Sequence, residues 1–470
     1  MEIIKWKLII LIASLLILNV DSNFQGTFWH ICDIHLNNSF ILNDINRYGN
    51  YKDDSTFALF QSSVLFMKSS YTYPDFIIVN GDNSYHGKIQ DYQLNASISN
   101  VTGELRLHFP ATAILPSMGN HDINPANFIS VNSSWCQNFY KFWESVLPNI
   151  SNSDIETFKK GCFYTHSIDT KNSKQMIIVL NAILWYQVNS YVKTNSDPLN
   201  QFMWLKTKLQ LARASMMKVF LVAHVSPGAA ESNPVKFHNF HPQFNQRFLK
   251  LIQDYADVID AGFFAHQHTD AFKIVYNSNN EPVIPLFLSP SVTPFNLWQL
   301  GSVNPSVRLY VWNGTSAGSR YHQYHTHLPP TGNINSKSVT IEWKLEYVSN
   351  TLFPNLSAKS LDGFVSEFSL SSSPSFKSFF SYHLSGQPHD DETCPETSSC
   401  RCRFICGIRN IDYTSLDSCL TKCASKERKY DWAWLAVPIV LFLFIILFAT
   451  FVFRRFYFLR RRLNPRYESF

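Results

Sequence analysis

An α/β fold is what the sequence predicts, and three observations carry that expectation. Short apolar runs of strand length recur along the chain, and longer amphipathic stretches with apolar residues at helical spacing lie between several of them. Most of the runs end abruptly in polar residues of a few recurring types. Strand alternating with helix is the pattern of an α/β sheet, in which the loops after the strands bind ligands. Composition agrees: of 470 residues, 45% are hydrophobic and 16% charged, with Phe 39, Tyr 21 and Trp 11. Such a chain can bury a large core, which excludes disordered, collagen-like and coiled-coil classes. The length allows two or three ordinary domains, or one large α/β domain with additions at its ends.

In chain order, Lys5 and Lys7 precede the apolar run Leu8 to Val20, and Asp21-Ser22-Asn23 follows, so residues 1–22 read as a secretory signal peptide. The runs expected to be strands are Thr27 to Cys32, Phe76 to Asn80, Ala113 to Met118, Met176 to Leu180, Val219 to Ala223 and Val258 to Ala265. Phe57 to Lys68, Asn200 to Ala214 and Phe244 to Tyr255 have the periodicity of helices. Val283 to Leu288, Val307 to Trp312 and Val339 to Tyr347 look like strands without helices between them, which suggests a second, more antiparallel sheet. There is no internal repeat and no Gly-rich phosphate loop.

Six of nine cysteines (Cys394, Cys400, Cys402, Cys406, Cys419, Cys423) crowd into thirty residues ahead of an apolar segment. After export such a cluster reads as disulfides, with a zinc knuckle as the alternative; connectivity is open. Cys136 and Cys162 are candidates for a fourth pair, which leaves Cys32 as a buried free thiol. Trp432 to Phe453 carries no formal charge and is long enough to cross about 30 Å of hydrocarbon at about 1.5 Å per residue. Arg454, Arg455, Arg460, Arg461 and Arg462 follow at once, and the positive-inside rule puts residues 454–470 in the cytosol. The formal charge of +5 resides in that tail, where six arginines face one acid, so the rest is neutral and no nucleic-acid-binding surface is indicated. The expected topology is single-pass type I, at the cell surface or an endolysosomal membrane, with the catalytic part outside or lumenal. Glycosylation sequons at Asn37, Asn95, Asn100, Asn132, Asn149, Asn313 and Asn355 all fall on that side.

Metal-ligand residue types stand at the strand ends. Asp33-Ile34-His35 follows the first run, Gly81-Asp82 the second, Gly119-Asn120-His121-Asp122 the third, His224 the fifth and His266-Gln267-His268 the sixth. Residues i and i+2 of an extended strand project to one side, so Asp33 with His35, and His266 with His268, are each expected to aim two side chains into one crevice. Carboxylates with imidazoles suit zinc, iron or manganese, whereas calcium prefers oxygen alone. Two divalent ions about 3.5–4 Å apart need a shared anionic ligand, and Asp82 is the candidate bridge. Such a pair activates a water as hydroxide and stabilises charge developing at phosphorus.

This order of motifs resembles the calcineurin-like metallophosphoesterase superfamily, and within it the acid sphingomyelinase-like phosphodiesterases. Flanking text carries the finer resemblance: Phe28-Trp29-His30, His86 after Gly81-Asp82, Val179-Leu180-Asn181, Ser289-Pro290-Ser291-Val292-Thr293-Pro294 and Trp343-Lys344-Leu345-Glu346-Tyr347, over about residues 27 to 423. The segment after Cys394 also resembles that family's C-terminal disulfide region. The resemblance implies a four-layer α/β/β/α sandwich over residues 23–350, a Cys-rich region over 351–430, the membrane helix over 432–453 and the basic tail. It implies two zinc ions, one held by Asp33, His35, Asp82 and His268, the other by Asp82, Asn120, His224 and His266. His86 and His121 match histidines near the leaving-group oxygen, where one protonates it. Tyr186, close to the Asn181 motif, is expected to line the substrate cleft.

Two positions depart from the family pattern. Ala265 stands where glycine is usual before His-x-His, which requires a negative φ there. The Gly81-Asp82 loop lacks the usual proline and puts Tyr85 three residues after Asp82, the spacing of a purple acid phosphatase tyrosinate, although His35 argues against that family. The implied reaction is phosphodiester hydrolysis by hydroxide held between two zinc ions, on nucleotides, CDP-choline-like diesters or phospholipid head groups. The alternatives are a sphingomyelin phosphodiesterase, a catalytically silent surface receptor and a purple acid phosphatase-like monoesterase. About five residues separate the signal peptide from the first strand, which is too few for a saposin-like lipid-presenting domain.

Overall fold

The computed structural model describes residues 26–38, 47–169, 174–295, 301–312, 319–329, 340–370, 373–388 and 398–462, with side chains omitted at 424–437, 439 and 460–462. The proposed signal peptide, Asn313 and Cys394 lie outside the described residues. The described residues up to Leu416 form one compact unit, and those from Asp417 onward a second.

Twelve strands make two six-stranded sheets among the described residues. The first has the order β12-β11-β10-β1-β2-β3, from β1 (Gly26–Ile31), β2 (Phe76–Asn80), β3 (Ala113–Ser117), β10 (Ser306–Trp312), β11 (Arg320–Thr326) and β12 (Trp343–Val348). The second has the order β4-β5-β6-β7-β9-β8, from β4 (Tyr164–Asp169), β5 (Lys174–Val179), β6 (Lys218–Val222), β7 (Ile259–Phe264), β8 (Ala271–Tyr276) and β9 (Pro282–Leu288). In the first sheet β1, β2 and the edge strand β3 run parallel, and in the second the central strands β5, β6, β7 and β9 do. The remaining neighbours are antiparallel: β10, β11 and β12 beside β1 in the first sheet, and β4 and β8 at the two edges of the second. Parallel strands buried on both faces are continuously apolar, which is why FIIVN and IDAGFF have hardly an exposed atom.

The inner faces pack through aromatic rings. Phe28 of β1 lies 5.9 Å from Phe220 of β6 and 5.3 Å from Phe263 of β7, and Phe263 lies 5.0 Å from Tyr310 of β10. Helices cover the outer faces. On the first sheet, α1 (Phe57–Ser70) packs against β10 and against α2 (Asp91–His108). α3 (Trp135–Trp143) and α4 (Asn152–Gly161) follow, and α5 (Gln201–Ala214) and α6 (Pro242–Asp254) lie on the second sheet. α7 (Ala358–Glu367), α8 (Pro374–His383) and α9 (Ser398–Arg409) complete that layer, α7 and α9 resting on β8. Ser and Thr side chains at Thr56, Ser357 and Ser373 cap three of these helices by accepting an orphan N–H. The four-layer α/β/β/α architecture is therefore present.

One expectation about topology is corrected. The later strands do not form a separate antiparallel sheet: β9 inserts parallel to β7 in the second sheet, while β10, β11 and β12 extend the first sheet from β1. The pattern in sequence shows which segments lack helical connections but not which edge they join.

Cys136 and Cys162 are bonded, and Cys32 is a buried free thiol. Cys400, Cys402, Cys406, Cys419 and Cys423 are all disulfide-bonded, so they are not available as a zinc knuckle. The second unit belongs to α10 (Tyr413–Arg462), in which Val440–Leu459 is apolar and long enough to cross a membrane.

Candidate dinuclear metal centre

The strand-end residues converge in the crevice between the two sheets, where the carboxyl ends of β1, β2 and β3 meet those of β6 and β7. The loops after β1 and β2 run side by side, joined by Asp33 N to Gly81 O at 3.1 Å and His35 N to Asp82 O at 2.9 Å. Asp33 spans the sheets, its Oδ2 accepting from His266 N at 3.1 Å.

Local backbone does not follow the strand-alternation argument. Asp33 (φ 46°), His35 (φ 45°), Asp82 (φ 54°), His266 (φ 76°) and His268 (φ 61°) all adopt left-handed conformations beyond the ends of their strands. The pairs Asp33/His35 and His266/His268 therefore share a side because two such residues flank one ordinary one, not because the strand continues. Left-handed non-glycine residues are costly and cluster where side chains must converge. Ala265 is not among the positive-φ residues, as its Cβ requires. Two motif glycines are dictated by close approach: a Cβ on Gly119 would stand 2.2 Å from Asp82 Oδ1, and one on Gly81 2.6 Å from Gly119 N.

Around the centre the ligand atoms are spaced closely. His35 Nε2 is 3.2 Å from His268 Nε2 and 3.4 Å from Asp82 Oδ2, and Asp33 Oδ1 is 3.4 Å from His268 Nε2. On the other side of Asp82, its Oδ2 is 3.2 Å from His224 Nε2, which is 3.1 Å from Asn120 Oδ1. Asp33, His35 and Asp82 form one group within ligand distance of one another; Asp82, His224 and His266 form a second. His35, His86 and His268 form a third. Asp82 is common to the first two, as a bridge must be.

These residues fit a pair of divalent cations. Tetrahedral zinc–nitrogen bonds of about 2.0–2.1 Å place ligand atoms about 3.3 Å apart, the spacing found here. Asp33 Oδ1 is fully buried and accepts no hydrogen bond, a cost that a cation removes. The imidazoles are oriented to ligate: Nδ1 of His35, His224 and His268 sits 3.0, 2.7 and 2.7 Å from the carbonyls of Ser84, Asn80 and Phe295. Donating there fixes the tautomer and turns the Nε2 lone pair inward. Burial, then neighbouring imidazoles, hold His35 and His266 well below the usual histidine range and His268 at about 3, so each is neutral. Burial pushes Asp33 up to about 7. For Asp82 burial acts the same way, but the charge of His224 and its hydrogen bond to the carboxylate outweigh it and keep Asp82 ionised.

A cavity of about 390 Å³ opens over this centre, lined among others by Asp82, His86, His121, Tyr186 and Phe237. The His86 ring stacks 3.8 Å from that of His35. His121 donates its backbone N–H to Asp82 Oδ1 at 2.7 Å, and burial pulls its imidazole down to about 4. Tyr186 is 5.2 Å from the His266 ring, and burial raises its hydroxyl above the usual range. Tyr85 is not among the residues that line the cavity over the centre, which does not favour an iron-bound tyrosinate. Of the sequons, Asn100, Asn132 and Asn149 are exposed and Asn37, Asn95 and Asn355 partly buried.

Three residues at the site escaped the sequence reading. Asp54 clamps His86, accepting from its backbone N at 2.7 Å and lying 2.8 Å from its Nδ1. Asp122, within a motif but given no role, accepts from the backbone N–H groups of Gly119, Asp82 and Asn83 at 2.9, 3.0 and 2.7 Å, and so locks two metal-binding loops together. Phe237 reaches the cavity from a long loop whose sequence carries no motif.

Comparison with known proteins gives a consistent result. Residues 26–270 match the family described as calcineurin-like phosphoesterase, and residues 281–426 match the acid sphingomyelin phosphodiesterase C-terminal region. The chain is 36% identical over 363 residues to Sphingomyelinase phosphodiesterase C of Dictyostelium discoideum, covering 70% of this chain and 78% of that protein. It is 29% identical to human Acid sphingomyelinase-like phosphodiesterase 3b, covering 84% and 90% of the two chains. With human Cyclic GMP-AMP phosphodiesterase SMPDL3A the identity is 28%, over 86% of this chain and 92% of the relative.

Proposed function

The chain belongs to the calcineurin-like phosphoesterases, as a phosphoric diester hydrolase whose fold uses divalent metal ions, and from that premise we propose that it is a dinuclear zinc phosphodiesterase acting on small organic phosphodiesters. The observation that carries this reading is the position of Asp82, shared by two ligand groups on the floor of an open cavity. We assign Asp33, His35, Asp82 and His268 to one zinc, and Asp82, Asn120, His224 and His266 to the other. When bound, the two cations supply a deprotonated water for attack at phosphorus and neutralise the phosphoryl oxygens.

The chain's own groups do the rest. Asp82 carries the shared negative charge, and Asp122 holds its loop. His86 is the proton donor to the departing oxygen: with Nδ1 directed to Asp54, Nε2 is the atom left for the cavity. His121, whose imidazole burial pulls down to about 4 and so keeps neutral, faces the same cavity. Tyr186 and Phe237 form an aromatic wall for the organic group of the diester. Two of the relatives are named for sphingomyelinase and one for cyclic GMP-AMP, which supports nucleotide diesters and sphingomyelin as substrates; choline-phosphate diesters such as CDP-choline extend the same head group. The uncharged run Trp432–Phe453, which overlaps the candidate span Val440–Leu459 and is followed by Arg454, Arg455 and Arg460 to Arg462, supports a single-pass type I anchor at the cell surface or an endolysosomal membrane.

The test is purification of residues 23–431 from a secreting host, metal analysis, and assay on a nucleotide diester, CDP-choline and sphingomyelin. Turnover of at least one with zinc present is expected. Bound metal without hydrolysis of any diester would overturn the reading.

A further inference from the structure

The C-terminal region packs behind the wall of the cavity that carries Phe237. Phe237 is carried by the segment Gly228–Phe240, which folds back on itself through Ala229 paired with His238 and Ala230 N bonded to Phe237 O at 2.8 Å. The same segment is tied to Tyr186, through the Tyr186–Phe240 bridge and Gln187 N to Asn239 O at 2.8 Å. Both aromatic residues of the wall thus depend on where this segment lies.

Tyr413, the first residue of α10, holds it from behind. Its hydroxyl accepts from Phe240 N at 3.1 Å, and its proton lies between the carbonyls of Phe240 at 2.8 Å and Gly228 at 3.1 Å. Its ring stacks on His238, 4.2 Å away and 12° from parallel. Beside it, Asn245 bridges Gly228 N and Ile411 O at 2.8 and 2.9 Å. Gly228 is at φ 79°, and a Cβ there would meet Ile411 at 2.9 Å. Gly407 of α9 presses as closely, its position for a Cβ being 2.6 Å from the Cα of Glu231. Glu231 faces the metal loop: Gln267, with its amide turned to satisfy both groups, donates to the two carboxylate oxygens at 2.8 and 2.9 Å. The segment is therefore fixed near the metal ligands by Glu231, and at its cavity end by Tyr413.

We infer that Tyr413 is a positioning residue for the organic group of the substrate, setting the aromatic wall through the Gly228–Phe240 segment without touching the metal centre. This deepens the diesterase reading and rests on it. The hydroxyl accepts from Phe240 N and shares its proton between Phe240 O and Gly228 O, tying both ends of the segment to one point, so its loss shifts the wall while the cation ligands, anchored to strand ends, stay in place.

The test compares the full chain with Tyr413→Phe on two esters sharing one leaving group, thymidine 5′-(p-nitrophenyl) phosphate and methyl p-nitrophenyl phosphate. The expected result is a KM for the thymidine ester raised roughly 3- to 10-fold with kcat unchanged, and no change with the methyl ester. His238→Ala, which removes the stacked ring, should give the same split. Equal losses on both esters, or none on either, would overturn the inference. Amide hydrogen exchange over residues 228–240 decides it independently of turnover: faster exchange in Tyr413→Phe is expected, and unchanged exchange contradicts it. A parent chain that hydrolyses neither ester sinks the diesterase reading instead.

Discussion

Asp82 is the residue on which most interactions of the site converge, and replacing it separates charge from shape. Asp82→Asn keeps the side-chain volume but removes the anion shared by two cations. Hydrolysis is expected to fall by several orders of magnitude while secretion and the circular dichroism spectrum stay those of the parent; near-normal turnover would contradict the bridging role. Asp54→Asn tests the proton path. With the Asp54 clamp on His86 weakened, kcat should drop roughly 10- to 100-fold on esters with alcohol leaving groups. On p-nitrophenyl esters, whose leaving group needs no proton, the change should stay within about 3-fold. Equal losses on both would assign Asp54 to folding instead. The gathering of these carboxylates and imidazoles in one crevice was legible, because such side chains at strand ends have few other uses in that pattern. Left-handed backbone at five of those positions was not legible, since only glycine announces positive φ in a sequence. Asp54 and Phe237 were invisible for another reason: each acts from a segment without periodicity or motif.

Elements tell a similar story at larger scale. Runs buried on both faces, such as Phe76–Asn80, could be read directly, and three helices with clear periodicity appear where expected. β11 could not, because two of its three buried positions, Gln323 and Thr326, are polar, and β4 and β8 were missed at the edges of the second sheet. Asp260 on β7 illustrates what a sheet costs. Burial pushes its carboxyl from 3.8 to about 6, with Lys218 at 3.7 Å opposing only in part. A folded value above the unfolded one contributes stability below pH 3.8 that is lost as pH rises through about 6. Asp260→Asn should therefore gain on the parent by roughly 1–2 kcal/mol between acid and neutral pH, read as a larger Tm difference at pH 7.5 than at pH 4; a difference independent of pH would contradict this. The Cys136–Cys162 bond joins the start of α3 to the end of α4, and Trp135 beside it donates to Asp122 O at 2.6 Å. Replacing both cysteines by serine should cost about 2–4 kcal/mol in stability and leave the metal content unchanged.

For the whole molecule, the sequence made the α/β class, the disulfide-rich C-terminal region and the apolar span readable, while the joining of β10 to β1 required the structure. The reason is physical: periodicity reports which face of an element is buried, but pairing between distant strands depends on side chains hundreds of positions apart. A chain with this span should sediment with membranes, and residues 23–431 should be released soluble from a secreting host. Everything claimed for function depends on two cations sharing Asp82. Metal content per chain, measured on the purified secreted segment and on its Asp82→Asn variant, tests that most directly. Two divalent ions per parent chain and a loss of at least one in the variant are predicted; a parent chain that binds none, or a variant that keeps both, would contradict the account.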